Sequence, residues 1–186
     1  MSDIHPAFPT QRHLRTEPLR TPGLRLRAAC GADVPFLLKL YADVRAPELH
    51  GWSQHAAQAF VADQFRLQHA HYLRAHPVAD YWIVDRVDPD DTPVPIGRLS
   101  LDRNARDWHL IELSLLASER GRGRGSALLR CIQDAAEAAA ASVDLHVELH
   151  TTDAIRLYTR LGFKRMASRF PTHSLLIWTP PRRVAR

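Results

Sequence analysis

The segment from Leu113 to Ser126 holds the residues best suited to chemistry, because a strand-like run ends there in a turn of alternating arginine and glycine. This glycine turn extends from Arg120 to Gly125, and an amphipathic helical pattern follows it. The first turn of a helix has unpaired N–H groups at the positive end of its dipole. Glycines let an anion approach that backbone closely. The pattern therefore predicts a cradle for a pyrophosphate, to which the arginines add positive charge.

Four other interpretations of the glycine turn compete with the cradle. A P-loop is excluded, because no Gly-Lys-Ser/Thr sequence closes the turn. A GxGxxG dinucleotide fingerprint beginning at Gly121 and Gly123 requires a third glycine where Ser126 stands. An arginine-glycine RNA-binding tail is disordered, whereas this turn lies between a predicted strand and a predicted helix. A plain surface turn with chance arginines stays open on the turn alone.

A resemblance to a known family strengthens the cradle interpretation. Arg120, Gly123 and Gly125 match the signature R/Q-x-x-G-x-G/A of the GNAT (GCN5-related N-acetyltransferase) family. About thirty residues later the chain resembles that family's second motif, N-x-x-A-x-x-L-Y-x-x-x-G-F. The matching residues there are Ala154, Leu157, Tyr158, Gly162 and Phe163, while Thr151 replaces the usual asparagine. The resemblance covers roughly residues 24–178, and the threonine, which lacks an amide, implies a weaker coenzyme contact.

The resemblance implies a fold, a donor and an acceptor. The fold is an α/β (α+β) domain with a mixed, mostly antiparallel seven-stranded sheet, about four helices, and a splay between the fourth and fifth strands. The donor is acetyl-CoA and the acceptor an amine, with direct transfer and no covalent enzyme intermediate. The coenzyme-binding residues that it implies are Leu113, Ser114, Leu115, Arg120, Gly121, Arg122, Gly123, Arg124, Gly125, Ser126, Thr151 and Tyr158.

Two side chains are the candidate catalytic residues. Tyr158 stands where the family carries a tyrosine, and its phenol can protonate the leaving thiolate. Glu112 is the candidate base, because alternation places Glu112 and Ser114 on one strand face and Ile111, Leu113 and Leu115 on the other. Packing of Tyr158 in the core, an ion pair of Glu112 with an arginine, and His109 as the base stay open. The backbone N–H of Leu115 or Leu116 is the candidate oxyanion donor.

The acceptor is expected in the loop between the first two predicted helices, where Arg45, Glu48, His50 and Trp52 cluster. Glu48 can bind a cationic amine and Trp52 can cover it. A surface ion pair between Arg45 and Glu48 beside a half-buried tryptophan is the alternative. No metal site is expected from the histidine spacing. His69 and His71 point in different directions on a helix, and His146 and His150 are about 13 Å apart along a strand.

Hydrophobic periodicity supplies the elements that position these residues. Helices are predicted at 32–44, 54–75, from the glycine turn to about 141, and 154–161. Strands are predicted at 24–28, 81–84, 94–101, 108–116, 143–149, from 163 onward, and 174–178. We expect an extended, poorly ordered lead-in at 1–22, an acetyltransferase domain at 23–179 and a basic tail at 180–186.

Composition narrows the class of protein. The chain has 186 residues and a formal net charge of +5, yet residues 28–163 carry 14 basic and 18 acidic side chains. The basic excess lies at the ends, so we expect no nucleic-acid partner. No apolar run is long enough to span a membrane. With no secretory signal pattern and only Cys30 and Cys131 as cysteines, we expect a cytoplasmic monomer or homodimer.

Alternatives to the small-molecule or peptide acetyltransferase remain open at this point. A catalytically silent acyl-CoA-binding sensor or partner protein keeps the fold without turnover. An enzyme that acetylates a protein N-terminus or an aminoacyl-tRNA keeps the chemistry and changes the acceptor. An arginine-glycine RNA-binding module would have neither the acetyltransferase fold nor its chemistry.

Overall fold

Seven strands form one sheet in the computed structural model, which describes residues 7–9, 19, 21–87, 92–103 and 106–181. The spatial order is β1-β2-β3-β4-β5-β7-β6. The strands are β1 (Leu24–Ala28), β2 (Asp80–Arg86), β3 (Val94–Asp102), β4 (Asp107–Leu115), β5 (Ser142–Glu148), β6 (Lys164–Met166) and β7 (His173–Trp178). Parts of the predicted turns, at 88–91 and 104–105, and most of the predicted tail, at 182–186, lie outside the described residues.

Four α-helices flank the sheet: α1 (Val34–Arg45), α2 (Gln54–Ala75), α3 (Arg124–Ala138) and α4 (Thr152–Arg160). Pro35 stands in the first turn of α1, where its missing N–H costs nothing. Ser53 caps α2, because its Oγ accepts the Ala56 N–H at 3.3 Å. The predicted fold, with a mixed seven-stranded sheet and four helices, is confirmed. None of the helices in the described part of the chain is long and apolar enough to cross a membrane.

The two faces of the sheet have separate cores. Side chains of α3 and α4 pack on one face, where Leu99, Leu110 and Ile132 are buried. Helices α1 and α2 pack on the other face around Leu37 and Phe65. We call the second face the α1/α2 face. Alternation along β5 places Asp144, His146 and Glu148 there, because Val143, Leu145 and Val147 belong to the first core.

Strands β4 and β5 form the one parallel pair among the described strands, and they separate early. Their pairing covers three positions and ends at His109 and Asp144, although β4 continues to Leu115 and β5 to Glu148. Every other neighbouring pair in the sheet is antiparallel. The predicted splay between the fourth and fifth strands is therefore present. Beyond His109, the edge of β4 that faces β5 has no partner among the described strands, and we call it the free edge of β4.

A β-bulge in β4 corrects the predicted alternation of side chains. Ser100 pairs with Glu112 but Leu101 pairs with Leu110, so Ile111 is an extra residue in β4. The bulge turns Ile111 to the same side as its neighbour Glu112. Ile111 accordingly packs with the core of the α1/α2 face, whereas Leu113 and Leu115 pack with the other core. The prediction that Ile111 shares a face with Leu113 was wrong, because strict alternation assumes an unbroken ladder.

The described residues of the N-terminal lead-in contact the domain. Phe8 lies edge-on against His69, with ring centroids 4.9 Å apart. Leu19 is buried in the core beneath α3, and Thr21 bridges to Leu24. At these three positions the lead-in packs against the folded domain, which its proline-rich sequence did not predict.

Candidate active site

The glycine turn leads into an open helix N-terminus. Gly121 and Gly123 adopt positive φ angles of 70° and 78°, a conformation that favours glycine. A Cβ at either position would meet no atom within 4 Å, and one at Gly125 would meet Leu157 Cδ2 at 3.8 Å. Among the described residues no side chain caps the first turn of α3. Its backbone N–H groups therefore lack a side-chain partner there, an arrangement that suits binding of an anion such as a pyrophosphate.

Arg120 is exposed, and its side chain holds the start of the glycine turn against α1 and the end of β4. Its Nε donates to the Leu115 carbonyl at 2.8 Å, and its Nη2 contacts the Asp43 carboxylate at 3.1 Å. Asp43 lies on α1 and also accepts the Ala117 N–H at 2.8 Å. Arg120 is thus charge-paired with Asp43, and its contacts tie α1 to the end of β4.

The other two arginines of the turn differ in their contacts. Arg124 pairs with the buried carboxylate of Glu119, which Arg86 also contacts at 3.2 Å. Arg122 is exposed and its Nε donates to the Ser118 carbonyl at 3.0 Å. Three free cationic groups were expected here. Two of the three are paired with acids, so Arg122 and the helix dipole supply the positive potential of the cradle.

The free edge of β4 presents main-chain groups to the splay. Leu116 N–H donates to the Ile96 carbonyl at 2.9 Å, and hydrogen-bonded pairs alternate in an antiparallel ladder. Ser114 is therefore bonded to β3, whereas the main-chain groups of Leu113 and the N–H of Leu115 point toward β5. The Leu115 carbonyl already accepts from Arg120 Nε. Leu116 was one of two predicted oxyanion donors. Because its N–H is already bonded, the Leu115 N–H is the better-placed donor of the two.

Gly97 keeps β3 close to this segment. A Cβ at Gly97 would lie 2.4 Å from the Ser114 carbonyl oxygen and 2.5 Å from Leu115 Cδ2. Real side chains essentially never approach so closely, so the position requires glycine. The absence of a side chain at Gly97 lets Leu115 pack across β3, which sets the position of the Leu115 N–H.

Glu112 lies at the bulge on the α1/α2 face, where its carboxylate is held by two neighbours. Oε1 accepts the Ser114 hydroxyl at 2.8 Å, and Oε2 lies 3.3 Å from Nη1 of Arg98. Arg98 is buried, with 4% of its surface exposed. Oε2 is itself buried and has no hydrogen bond among the described residues. The ion pair anticipated as the alternative is present, and it engages Oε2 while Oε1 accepts from Ser114.

Tyr158 lies on α4 and packs against the core beside α3. Its ring meets Phe163 edge-on at 5.5 Å. Burial raises the pKa of Tyr158 to about 12, which keeps the phenol protonated at any physiological pH. Its hydroxyl has no hydrogen-bond partner within the described chain. Thr151 precedes α4 as its N-cap residue, and its side chain makes no capping bond and is exposed.

In the predicted acceptor loop (45–52) Arg45 pairs with Glu48 at 3.2 Å, and the Arg45 guanidinium lies 5.8 Å from the centre of the Tyr41 ring. Trp52 is half-exposed and packs on Phe60 with ring centroids 5.2 Å apart. The Arg45–Glu48 pair of the alternative interpretation is therefore present, and Trp52 keeps an exposed face.

Negative charge converges on the α1/α2 face near this loop. Burial raises the pKa of the Tyr41 phenol, and the carboxylates of Glu48, Glu112 and Glu148 raise it further, against the lowering effect of Arg45. The pKa of Tyr72 on α2 is also raised, first by burial and then by Glu112. Glu112 of β4 and Glu148 of β5 thus act on both phenols, and Glu48 of the loop acts on Tyr41. Arg45 and Arg98, which pair with Glu48 and Glu112, oppose this effect on the pKa values of Tyr41 and Tyr72.

His109, the alternative base, lies where β4 and β5 separate. Its Nδ1 lies 2.5 Å from the Asp144 carboxylate, and both side chains are about one quarter exposed. His109 lies on the α1/α2 face, as Glu112 does, but it precedes the bulge at Ile111 in the sequence of β4. Both candidate bases therefore line one side of the sheet.

A family model described as the acetyltransferase (GNAT) family matches residues 38–163. The chain belongs to the GNAT family. Among solved structures, the PaiA N-acetyltransferase of Thermoplasma acidophilum, in complex with coenzyme A, is 13% identical. The structural alignment covers 84% of this chain and 98% of the PaiA chain, with a TM-score of 0.61. An acetyltransferase of Thermus thermophilus is 19% identical over 86% and 98% of the two chains, with a TM-score of 0.59.

A third GNAT structure is the spermidine N-acetyltransferase of Vibrio cholerae in complex with CoA and spermine. It is 16% identical and covers 84% of this chain and 95% of its own, with a TM-score of 0.57. At these identities the likeness shows the fold. No curated protein sequence matches the chain.

Several residues that shape this GNAT site were missed from the sequence. Arg98, Glu119 and Asp43 are charged residues whose partners lie far away in the chain, so no local spacing marks them. Gly97 stands alone in an apolar strand, and an isolated strand glycine is a signal of close backbone approach. The close approach of β3 and β4 at Gly97 could therefore have been predicted from the sequence.

Proposed function

We propose that this GNAT protein transfers the acetyl group of acetyl-CoA directly to a primary amine of a small molecule or peptide. The observation that carries the proposal is the free edge of β4. Main-chain groups of Leu113 and Leu115 face the splay, and the uncapped N-terminus of α3 follows within ten residues. A strand edge suits the amides of a pantetheine arm, and a helix N-terminus suits a pyrophosphate. The strand edge and the helix N-terminus lie in the same order as the pantetheine arm and the pyrophosphate do in acetyl-CoA.

Acetyl-CoA would supply the acetyl thioester, and residues of this chain would guide its transfer. The Glu112 carboxylate takes a proton from the attacking amine, directly or through water. The Leu115 N–H donates to the carbonyl oxygen as negative charge develops on it. Tyr158 gives its phenolic proton to the sulfur as the carbon–sulfur bond breaks. Its raised pKa keeps that proton in place before transfer.

The acceptor that fits best carries positive charge besides its reactive amine. Glu48, Glu112 and Glu148 act on the same region of the α1/α2 face, and Trp52 offers an exposed ring to an ammonium group. Two of the structural neighbours act on a small polyamine and on the N-terminus of ribosomal protein L7/L12. The acidic lining favours a cationic small molecule or peptide over a neutral amine.

The proposal is tested by measuring CoA release from acetyl-CoA against a panel of amines. The panel pairs polyamines and lysine-containing peptides with neutral amines of matched size, and products are identified by mass spectrometry. We expect turnover with cationic acceptors and a higher KM for them in Glu48→Gln. Arg66→Gln is the control, because Arg66 pairs with Asp63 on the exposed side of α2. An equal rate with neutral and cationic amines would contradict the charge argument.

A catalytically silent coenzyme-binding protein is the second candidate. The observation in its favour is the Arg98–Glu112 ion pair, which occupies part of the proposed base. This candidate predicts saturable acetyl-CoA binding by calorimetry without turnover of any amine in the panel. Turnover that Glu112→Gln abolishes while coenzyme binding persists would exclude it.

A further inference from the structure

A group of metal-ligating side chains lies at the start of the β4–β5 pair, and the proposed transfer does not use it. The group consists of His109 on β4 and Asp144 and His146 on β5. One ligand atom from each of the three lies within 4.8 Å of the other two. The His109 and His146 rings have centroids 5.8 Å apart.

The sheet geometry brings these three residues together. His109 and Asp144 are direct partners in the parallel ladder, at the last pair before the strands separate. His146 is two residues beyond Asp144, so it lies on the same face of β5. Because the pairing of β4 with β5 ends at His109 and Asp144, no β4 residue pairs with His146.

We propose that His109, Asp144 and His146 form a binding site for one divalent transition-metal ion of the Zn²⁺ type. Two imidazoles and one carboxylate are the donor set of many three-ligand zinc sites, which leave a fourth position open. The set carries one negative charge when both histidines are neutral, so a divalent ion leaves a net charge of +1. Hard ions such as Mg²⁺ and Ca²⁺ prefer oxygen donors and fit this set less well.

The surroundings suit a site that an ion can enter and that holds its ligands in place. About one quarter of each of the His109 and Asp144 side chains is exposed, which leaves a path from solvent. His76 stacks on His109 at 5.5 Å and is itself held by Asp102 at 3.1 Å. Phe170 meets the His146 ring edge-on at 5.2 Å. Both ligand imidazoles thus have aromatic neighbours, and a second carboxylate anchors His76, the ring that stacks on His109.

The expectation of no metal site rested on pairs of histidines that lie close together in the chain, His69 with His71 and His146 with His150. His69 is buried and stacks on Phe65, His71 is exposed, and His150 lies beyond the end of β5. Those pairs do not converge. The ligands proposed here come from two strands paired in parallel and separated by 35 residues, a relation that residue spacing does not reveal.

The test uses untagged full-length protein, stripped with a chelator and then titrated with Co²⁺ and Zn²⁺. We expect one equivalent of Co²⁺ to give visible d–d absorption bands that Zn²⁺ abolishes. A chromogenic chelator competing for Zn²⁺ then gives the affinity. His146→Ala and Asp144→Asn should each weaken it by about tenfold or more, whereas His150→Ala and His71→Ala should match the parent.

Circular dichroism at each step checks that the variants are folded, and Asp144→Asn nearly preserves volume if His146→Ala proves unstable. Absence of Co²⁺ bands in the folded parent would overturn the proposal, as would equal Zn²⁺ affinity in parent and Asp144→Asn. If no metal binds but His109→Gln changes the pH profile of acetyl transfer, the group is a proton-transfer pair and not a metal site. Metal binding is measured without acetyl-CoA, so its outcome is independent of the proposed function.

Discussion

Replacing Gly97 with alanine perturbs the proposed oxyanion donor without touching a catalytic side chain. The new Cβ would lie 2.4 Å from the Ser114 carbonyl oxygen, whereas ordinary contacts begin near 3.4 Å. The nearer obstacle is main chain and cannot rotate away, so the β4 backbone must shift by about 1 Å. Overpacking of this kind costs roughly 1–3 kcal/mol of folding free energy.

The same shift moves the Leu115 N–H, and a displacement of about 1 Å in an active site can lower the rate about 100-fold. We therefore expect Gly97→Ala to be folded, less stable in urea denaturation, and about 100-fold slower in kcat with a cationic acceptor. Both quantities should be measured on one preparation, well below the unfolding midpoint.

Gly31→Ala is the matched control. A Cβ at Gly31 meets nothing within 4 Å, and the residue does not have a positive φ. This variant should keep the parental rate and stability, or gain a few tenths of a kcal/mol from a stiffer unfolded chain. If Gly97→Ala equals Gly31→Ala in both measurements, the argument that Gly97 sets the position of Leu115 is refuted.

Three more variants test the remaining parts of the site. Gly123→Asp places an anion in the cradle and should weaken acetyl-CoA binding by about 1.5–3 kcal/mol in calorimetry. Gly51→Asp, with a similar φ of 85° and open surroundings, should not weaken it, and equal affinities would refute the cradle. Glu112→Gln should lower kcat about 10²–10⁴-fold with coenzyme affinity unchanged, and parental activity at every pH would reassign the base. Tyr158→Phe should slow turnover. Because the folded pKa of about 12 exceeds the ordinary value of 10.0, stability of the parent relative to this variant should fall as pH rises from 10 to 12. At pH 11 the difference should reach about 1 kcal/mol in urea midpoints, and identical alkaline profiles would contradict the burial of the phenol.

The elements were predictable where one periodicity dominates. Helix α2 begins at Gln54 and ends at Ala75, as its apolar spacing predicted. Strands β2 to β4 also lie where alternating apolar runs are bounded by turn residues. The bulge at Ile111 was not predictable this way, because a bulge depends on the pairing of β4 with β3 and leaves no mark on the spacing of β4 itself.

The site was predictable as a set of positions and much less as a set of interactions. The glycine turn and the start of α3 were predictable, since positive φ angles and a helix start have local signatures. The pairing of Arg120 with Asp43, and of Arg124 with Glu119, joins parts of the chain whose proximity only the fold determines. The expected charge of the cradle was therefore too high.

The central claim is that acetyl-CoA binds along the free edge of β4 and at the start of α3. Amide hydrogen exchange followed by NMR at single residues, with and without saturating acetyl-CoA, tests it most directly. If acetyl-CoA binds there, amide exchange should slow at Leu113, Leu115 and Gly125. It should change little at Ser114, whose amide already bonds to β3. Protection elsewhere in the chain, with Leu113 and Leu115 unchanged, would contradict it.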